Sequence, residues 1–278
     1  MRFKTVLSVV GVSHSLKDVE LAKDLCREIG AHLSILVVSV ASPPPIGEYA
    51  AIVSEDWLYD RRAEMTTLRE KVSDIKDLMG KTDVSFDVDG VYPELISTAH
   101  SVGHRARFSD VVVLGPAYAI DEQLRTNVLD GVLFEAQRPV LVVPEGGHPT
   151  LKPKTVMVAW AAGLEATRAT RESLDLLCDA DMVSITLVDP DASSRDTSAD
   201  PGSDVAAYLA RHGAKVRVDR LPSSGRPVSD TLNQQAIDIS ADLIVMGAYG
   251  HSRLRERLFG GVTRAMIEDP RVPLLLAR

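Results

Sequence analysis

Residues 241–263 read ADLIVMGAYGHSRLRERLFGGVT. Four apolar residues run from Leu243 to Met246 into Gly247; Gly250 and a basic stretch follow, and the Gly260-Gly261 pair opens a helical pattern. A short Val/Ile/Leu-rich run that ends in glycine and passes into a helix is the pattern of a buried parallel strand and its covering helix. The same stretch suits an anion, because glycines expose the backbone and the first N–H groups of a helix have no internal partner. A phosphate there would accept from the amides of Gly261, Val262 and Thr263, with the Thr263 hydroxyl as a further donor.

The strand at the head of this stretch has a counterpart: ADLIVMG from Ala241 matches SDVVVLG from Ser109. Three more pairs follow. KTVLSVV from Lys4 recurs as KTVMVAW from Lys154, LSILVV from Leu33 as VSITLV from Val183, and RPVLVVP from Arg138 as VPLLLAR from Val272. Repetition on this scale means one domain written twice, not a solenoid of small units. The expected fold is α/β: two tandem doubly wound domains, each with a five-stranded parallel sheet flanked by helices. Strands are expected near 4–11, 32–40, 83–90, 110–115 and 139–143, and near 154–160, 183–188, 215–221, 242–247 and 272–277. The domains run over 1–146 and 154–278, joined by a linker at 147–153 within the Pro- and Gly-rich stretch PEGGHPTLKP. The last strands, VLVV from Val140 and LLLA from Leu274, are expected to pair, making the chain an intramolecular pseudo-dimer that is also compatible with a homodimer of whole chains.

Bulk composition sets bounds. With 278 residues, 45% of them hydrophobic, the chain is long enough for two ordinary cores. A net charge of −8 argues against nucleic acid as a partner. No apolar run approaches the ~18 residues of a membrane span. The opening MRFKTVLSVVGVS looks like a secretion signal until its copy at Lys154 marks it as a first strand. The expected location is cytoplasmic. The two cysteines, Cys26 and Cys178, sit among leucines and read as buried free thiols. His100 and His104 are four apart in a helical pattern, but no HExxH sequence or nearby cysteine supports a metal, so a surface pair is expected.

The copies differ most between their second and third strands, where the first carries SPPPIGEYAAIVSEDWLYDRRAEM from Ser42. The prolines exclude a helix at once, and a helical pattern then runs to about Gly80. Trp57 and Tyr59 there suit a lid or partner surface, with packing against the sheet as the more ordinary expectation.

Ligands of open parallel sheets bind at the carboxyl ends of the strands, where strand order reverses. In the second copy the walls are then Met246-Gly247 and Val188-Asp189-Pro190. Gly247, Gly250, Gly260, Gly261, Val262 and Thr263 follow the pattern G-x2-G-x9-G, then a small residue, Val and Thr. On these residues, and over nearly the whole chain as a tandem pair, the sequence resembles the universal stress protein family in its nucleotide-binding branch. The resemblance implies ATP, ADP or a related adenine nucleotide on this loop, with magnesium as its accompanying ion and backbone groups near Val188 against the adenine. His251, directly after Gly250, and Arg253 are added as ligand candidates, since a guanidinium makes forked contacts with phosphate oxygens. Arg255, Arg257 and Arg264 add positive charge; a solvated loop is the alternative reading for all the arginines.

The chain departs from the family pattern in three places. Gly261 stands where the family has Ser, Ala161 and Gly11 stand where it has an acid after the first strand, and the first copy follows Gly115 with PAYAIDEQLRTNVLDG, whose Pro116 removes an amide. The first half is therefore expected to bind no nucleotide by this mode. No G-x4-G-K-[ST] loop and no catalytic set of residues can be assigned, so the expected protein is a nucleotide-responsive stress or signalling protein, non-catalytic or at most a slow ATPase, that passes occupancy to a protein partner. The competing readings are an adenylate-transferring enzyme, whose SGGxDS and HIGH sequences are absent, and a nucleotide-free interaction protein that uses Pro43–Tyr59 for an apolar ligand or protein.

Overall fold

The computed structural model describes residues 3–43, 55–190, 201–248 and 261–278. The chain divides into two compact units, Lys4–Ala136 and Gln137–Arg278, the latter together with Met1–Phe3.

In the first unit, strands β1 (Thr5–Gly11), β2 (His32–Val38), β3 (Phe86–Val91) and β4 (Val111–Leu114) alternate with helices α1 (Lys17–Ile29), α2 (Glu55–Met79), α3 (Leu95–Ala106) and α4 (Glu122–Asp130). The strands lie in the order β3-β2-β1-β4 and all pair in parallel. β1 and β4 are buried almost throughout, as strands covered on both faces must be. α1 turns Val19, Ala22, Leu25 and Cys26 inward at helical spacing and ends on Gly30, whose φ of 67° is the left-handed cap conformation that glycine adopts freely. Helix α2 buries Leu68, Ile75 and Met79. Counted from Leu68 at 100° per residue, Trp57 shares that face and Tyr59 lies about 180° away. Tyr59 is accordingly 73% exposed, so packing against the sheet is not its role. Trp57 donates from Nε1 to the Pro43 carbonyl at 3.1 Å, and the Arg61 guanidinium lies over both its ring and that of Tyr92.

The second unit holds β5 (Val140–Val142), β6 (Thr155–Ala159), β7 (Met182–Val188), β8 (Val216–Leu221), β9 (Leu243–Gly247) and β10 (Leu274–Ala277). Its helices are α5 (Leu164–Glu172), α6 (Leu174–Asp179), α7 (Ser203–Arg211), α8 (Val228–Asp238) and α9 (Gly261–Glu268). The order is β5-β10-β9-β6-β7-β8. The five strands β6 to β10 are parallel, and β5 joins β10 antiparallel with Leu275 opposite Leu141. The pairing expected of the two final strands is thus formed. The fifth strand of the first copy is paired with the last strand of the second.

The written repeat is a structural one. The Asp110 carboxylate accepts from the amides of Lys4 and Thr5 at 2.7 and 2.9 Å, and Asp242 does the same for Lys154 and Thr155 at 2.8 and 2.9 Å. In each unit one acid thereby fixes the start of the first strand beside the fourth.

Both thiols are free. Cys26 is buried, and burial pushes it up to about 12. Cys178, in the last turn of the short α6, is only half-buried, and its Sγ approaches the His212 carbonyl at 3.2 Å. Among the described residues no helix is long and apolar enough to cross a membrane, and no group of three or more acids, histidines or cysteines could hold a metal. His100 meets Glu135 at 3.0 Å, while His104 stacks edge-on against Phe108.

Candidate functional site

At the carboxyl ends of β6, β7 and β9 the second unit opens a cavity of about 470 Å³, within the range of small-molecule sites. Its lining includes the strand ends Ala159 and Met246, the apolar Trp160, Val188, Val228 and Leu232, and the start of α9 at Gly261, Val262 and Thr263. Sequence reasoning placed Val188, Met246, Gly247, Gly261, Val262 and Thr263 here, and all six line this one space. Gly250, His251, Arg253 and Gly260, with Arg255 and Arg257, lie outside the described residues. Arg264 is engaged elsewhere, its Nε donating to Glu268 at 2.6 Å across one helical turn.

Val188 contributes its backbone. The Trp160 amide donates to the Thr186 carbonyl at 2.9 Å, and the β6–β7 register ends at Ala159 opposite Thr186. Strand geometry turns the amide and carbonyl of Val188, two residues on, to the same side as those of Thr186. There β6 has already left the sheet, so a donor and an acceptor face the cavity where a ladder partner would stand. Asp189 does not turn inward: at a φ of 46°, its amide donates to Leu221 and its carboxylate accepts from Ser223 at 2.9 Å. The hydrogen bonds from Ser223 hold that carboxyl below its ordinary range.

Gly247 has a role that sequence reasoning missed. A Cβ at this position would lie 2.4 Å from the Ala166 nitrogen and 2.5 Å from the Glu165 carbonyl carbon. Its bareness lets α5 begin hard against the end of β9. Gly261 is different, since a Cβ there would meet nothing within 4 Å among the described residues. Trp160, Thr186, Val228, Leu232 and Glu165 also line the cavity without having been foreseen. Only the Val228–Leu232 spacing, one turn of α8, carried a sequence signal, and that signal reads equally as ordinary core packing.

In the first unit the matching positions are filled by side chains. Pro116 opens a tight turn, Pro116–Ala119, that sends Tyr118 inward, where it is 2% exposed and donates to the Val9 carbonyl at 2.8 Å. His14 packs edge-on against this ring, 4.8 Å between centroids, and pairs with Asp121 at 3.1 Å. Asp18 lies so close to Gly115 that a Cβ there would fall 2.3 Å from its Cγ. The acid accepts from the Ala117 amide at 3.3 Å, where the second copy has the backbone of Glu165 and Ala166 against Gly247.

Burial raises the Asp18 carboxyl, opposed by the Ala117 hydrogen bond and by His14. A carboxyl raised on folding contributes stability that is complete below its unfolded value near 3.8 and is lost as pH rises through the folded value. Asp18→Asn keeps an acceptor for Ala117 without the charge. The stability of this variant relative to the parent is therefore expected to increase between pH 4 and pH 7, measured by urea unfolding at each pH; a constant or falling difference would refute the assignment.

Comparison with known proteins agrees with this architecture. Residues 152–278 match the model of the Universal stress protein family. A universal stress protein from Archaeoglobus fulgidus superposes with a TM-score of 0.66 at 15% identity, over 98% of this chain and 96% of that one. Two Pseudomonas aeruginosa chains, one provisionally described as a universal stress protein and one of unknown function, each give 0.54 at 12% and 14% identity, over 99% of this chain and 93% and 92% of theirs. No curated protein matches the chain in sequence. The stretch that matches the family model, residues 152–278, is also the stretch that places Gly247, Gly261, Val262 and Thr263 on the cavity wall.

Proposed function

We propose that the second unit, over residues 154–278, binds ATP or ADP in the 470 Å³ cavity and acts through occupancy, with little or no hydrolysis. One observation carries the reading. A strand end whose backbone donor and acceptor, at Val188, have no ladder partner among the described residues, and the first turn of α9, at Gly261–Thr263, line a single cavity. The first suits the edge of a base and the second an anion, and the apolar lining suits a flat ring. His251 and Arg253 are proposed on the phosphate side with Gly250 and Gly260, and a magnesium ion would ride on the phosphates.

Titration calorimetry with ATP and ADP tests this reading. One saturable site per chain is expected; no heat at millimolar ligand rules it out. Gly261→Ser adds a hydroxyl where a Cβ meets none of the described residues within 4 Å, so it is expected to tighten ATP binding by up to about tenfold while the unfolding temperature stays within a few degrees.

A second reading has one observation in its favour. On α2, Leu58 and Met65 lie two turns apart and are 40% and 39% exposed, with Tyr59 beside them. Such a face suits an apolar ligand or a protein. Residues 44–54 of the same insertion lie outside the described residues. Native mass spectrometry of freshly purified protein separates the readings, since a co-purifying adenine nucleotide supports the first and a lipid-like mass the second.

A further inference from the structure

A ligand reaching from Val188 to Gly261 must cross the end of β6, because the sheet order there is β9-β6-β7. What stands at that crossing is the connection from β6 into α5, and its first helical turn carries Glu165. Glu165 is the one acidic or basic side chain among the described residues that line the cavity. Its Oε2 lies 3.3 Å from the position of a Cβ on Gly163, another lining residue, and its backbone rests against Gly247. Among the described residues it forms no ion pair or side-chain hydrogen bond, whereas Asp18, at the matching place in the first unit, is held by Ala117.

Between a base at Val188 and phosphates at Gly261, the part of a nucleotide above β6 is its sugar. A sugar presents hydroxyl donors, and a carboxylate offers only acceptors. Thr186, the neighbouring hydroxyl on the cavity wall, already shares a hydrogen bond with Ser184 at 3.1 Å.

We propose that Glu165 reads the ribose of the bound nucleotide, accepting hydrogen bonds from its 2′- and 3′-hydroxyls and so selecting ribonucleotides over their deoxy forms. The proposal rests on the adenine-nucleotide reading above. A first-turn acid also complements the helix dipole, which would give Glu165 a purely structural role. The test must therefore read ligand selectivity as well as stability.

Calorimetry with ATP and 2′,3′-dideoxy-ATP on the parent and on Glu165→Gln forms a double-mutant cycle. In the parent, losing the two hydroxyls is expected to weaken binding by roughly 10- to 100-fold; Glu165→Gln weakens ATP by a similar factor and narrows its discrimination between the two nucleotides to less than about threefold. Adenosine and 2′,3′-dideoxyadenosine, measured in EDTA, are expected to repeat the pattern, which removes phosphate and metal as explanations. Equal affinity of parent and Glu165→Gln for ATP, or undiminished discrimination in the variant, overturns the proposal, as does an effect that vanishes in EDTA. Failure of the parent to bind ATP at all would overturn the nucleotide reading itself and is distinguishable from these. Glu165→Asp, which keeps the charge at the helix start but withdraws it by one methylene, serves if the glutamine variant unfolds; its ATP affinity is expected to fall by about tenfold with discrimination reduced, and unchanged values refute the proposal.

Discussion

Gly247→Ala is expected to weaken ATP binding by at least about tenfold and to destabilise the second unit by about 1–3 kcal/mol, the usual cost of overpacking a closed contact. The added methyl would meet the Ala166 nitrogen at 2.4 Å and the Glu165 carbonyl carbon at 2.5 Å. These are backbone atoms, so no rotamer change relieves the clash. Either α5 slides along its axis or the end of β9 drops, and either movement displaces one wall of the cavity relative to another. Gly261→Ala supplies the control, because that methyl meets none of the described residues within 4 Å and Gly261 lines the same cavity. Urea unfolding followed by calorimetry checks both effects. A Gly247→Ala protein with parental stability and parental affinity would show that the approach of α5 to β9 has no bearing on the site.

Tyr118→Ala is expected to cost the first unit about 3–5 kcal/mol, the range for deleting a buried aromatic ring. Tyr118 fills the place where, in the second unit, space is left at the strand ends. Its ring carries the edge of His14, and its phenol, pushed well above its ordinary value by burial, remains a protonated donor to Val9. Tyr118→Phe keeps the ring and removes only that hydrogen bond, so a smaller loss of about 1 kcal/mol is expected. Two unfolding transitions, with only the one assigned to the first unit shifted, would check the pair. Neither variant is expected to add a second ATP site, since Asp18 still lies against Gly115 and Pro116 still lacks an amide. A second equivalent of bound ATP in Tyr118→Ala would mean that this ring alone closes the first cleft.

The two glycines, Gly247 and Gly115, show what could be read from the chain and what could not. The repeat, the strand positions and the glycine-to-threonine pattern were all legible in the sequence. Buried strands need runs such as LIVM and VVVL, and glycines at set spacing before a helix leave amides uncovered. The pairing of Val140 and Leu274 strands was also legible, because each copy ends on a short apolar strand that requires a neighbour. Sequence likewise pointed to a first half without a working phosphate loop, through Pro116 and the missing glycine spacing.

Other features depended on distances between residues far apart in the chain. That Tyr118, His14 and Asp18 meet in one filled cleft, and that Glu165 lines a cavity with no side-chain partner among the described residues, follows from how α1 and α5 approach the ends of β4 and β9. Periodicity reports which face of an element is apolar, but not which acid near a helix start is covered by a neighbouring turn and which is left facing a cavity. The sequence alone thus determined two copies of one α/β fold, with a glycine-spaced run before a helix in the second. Only the tertiary structure decided which cleft is filled, because filling depends on side chains meeting across strands separated by a hundred residues in the first unit, whereas in the second the described residues leave a cavity.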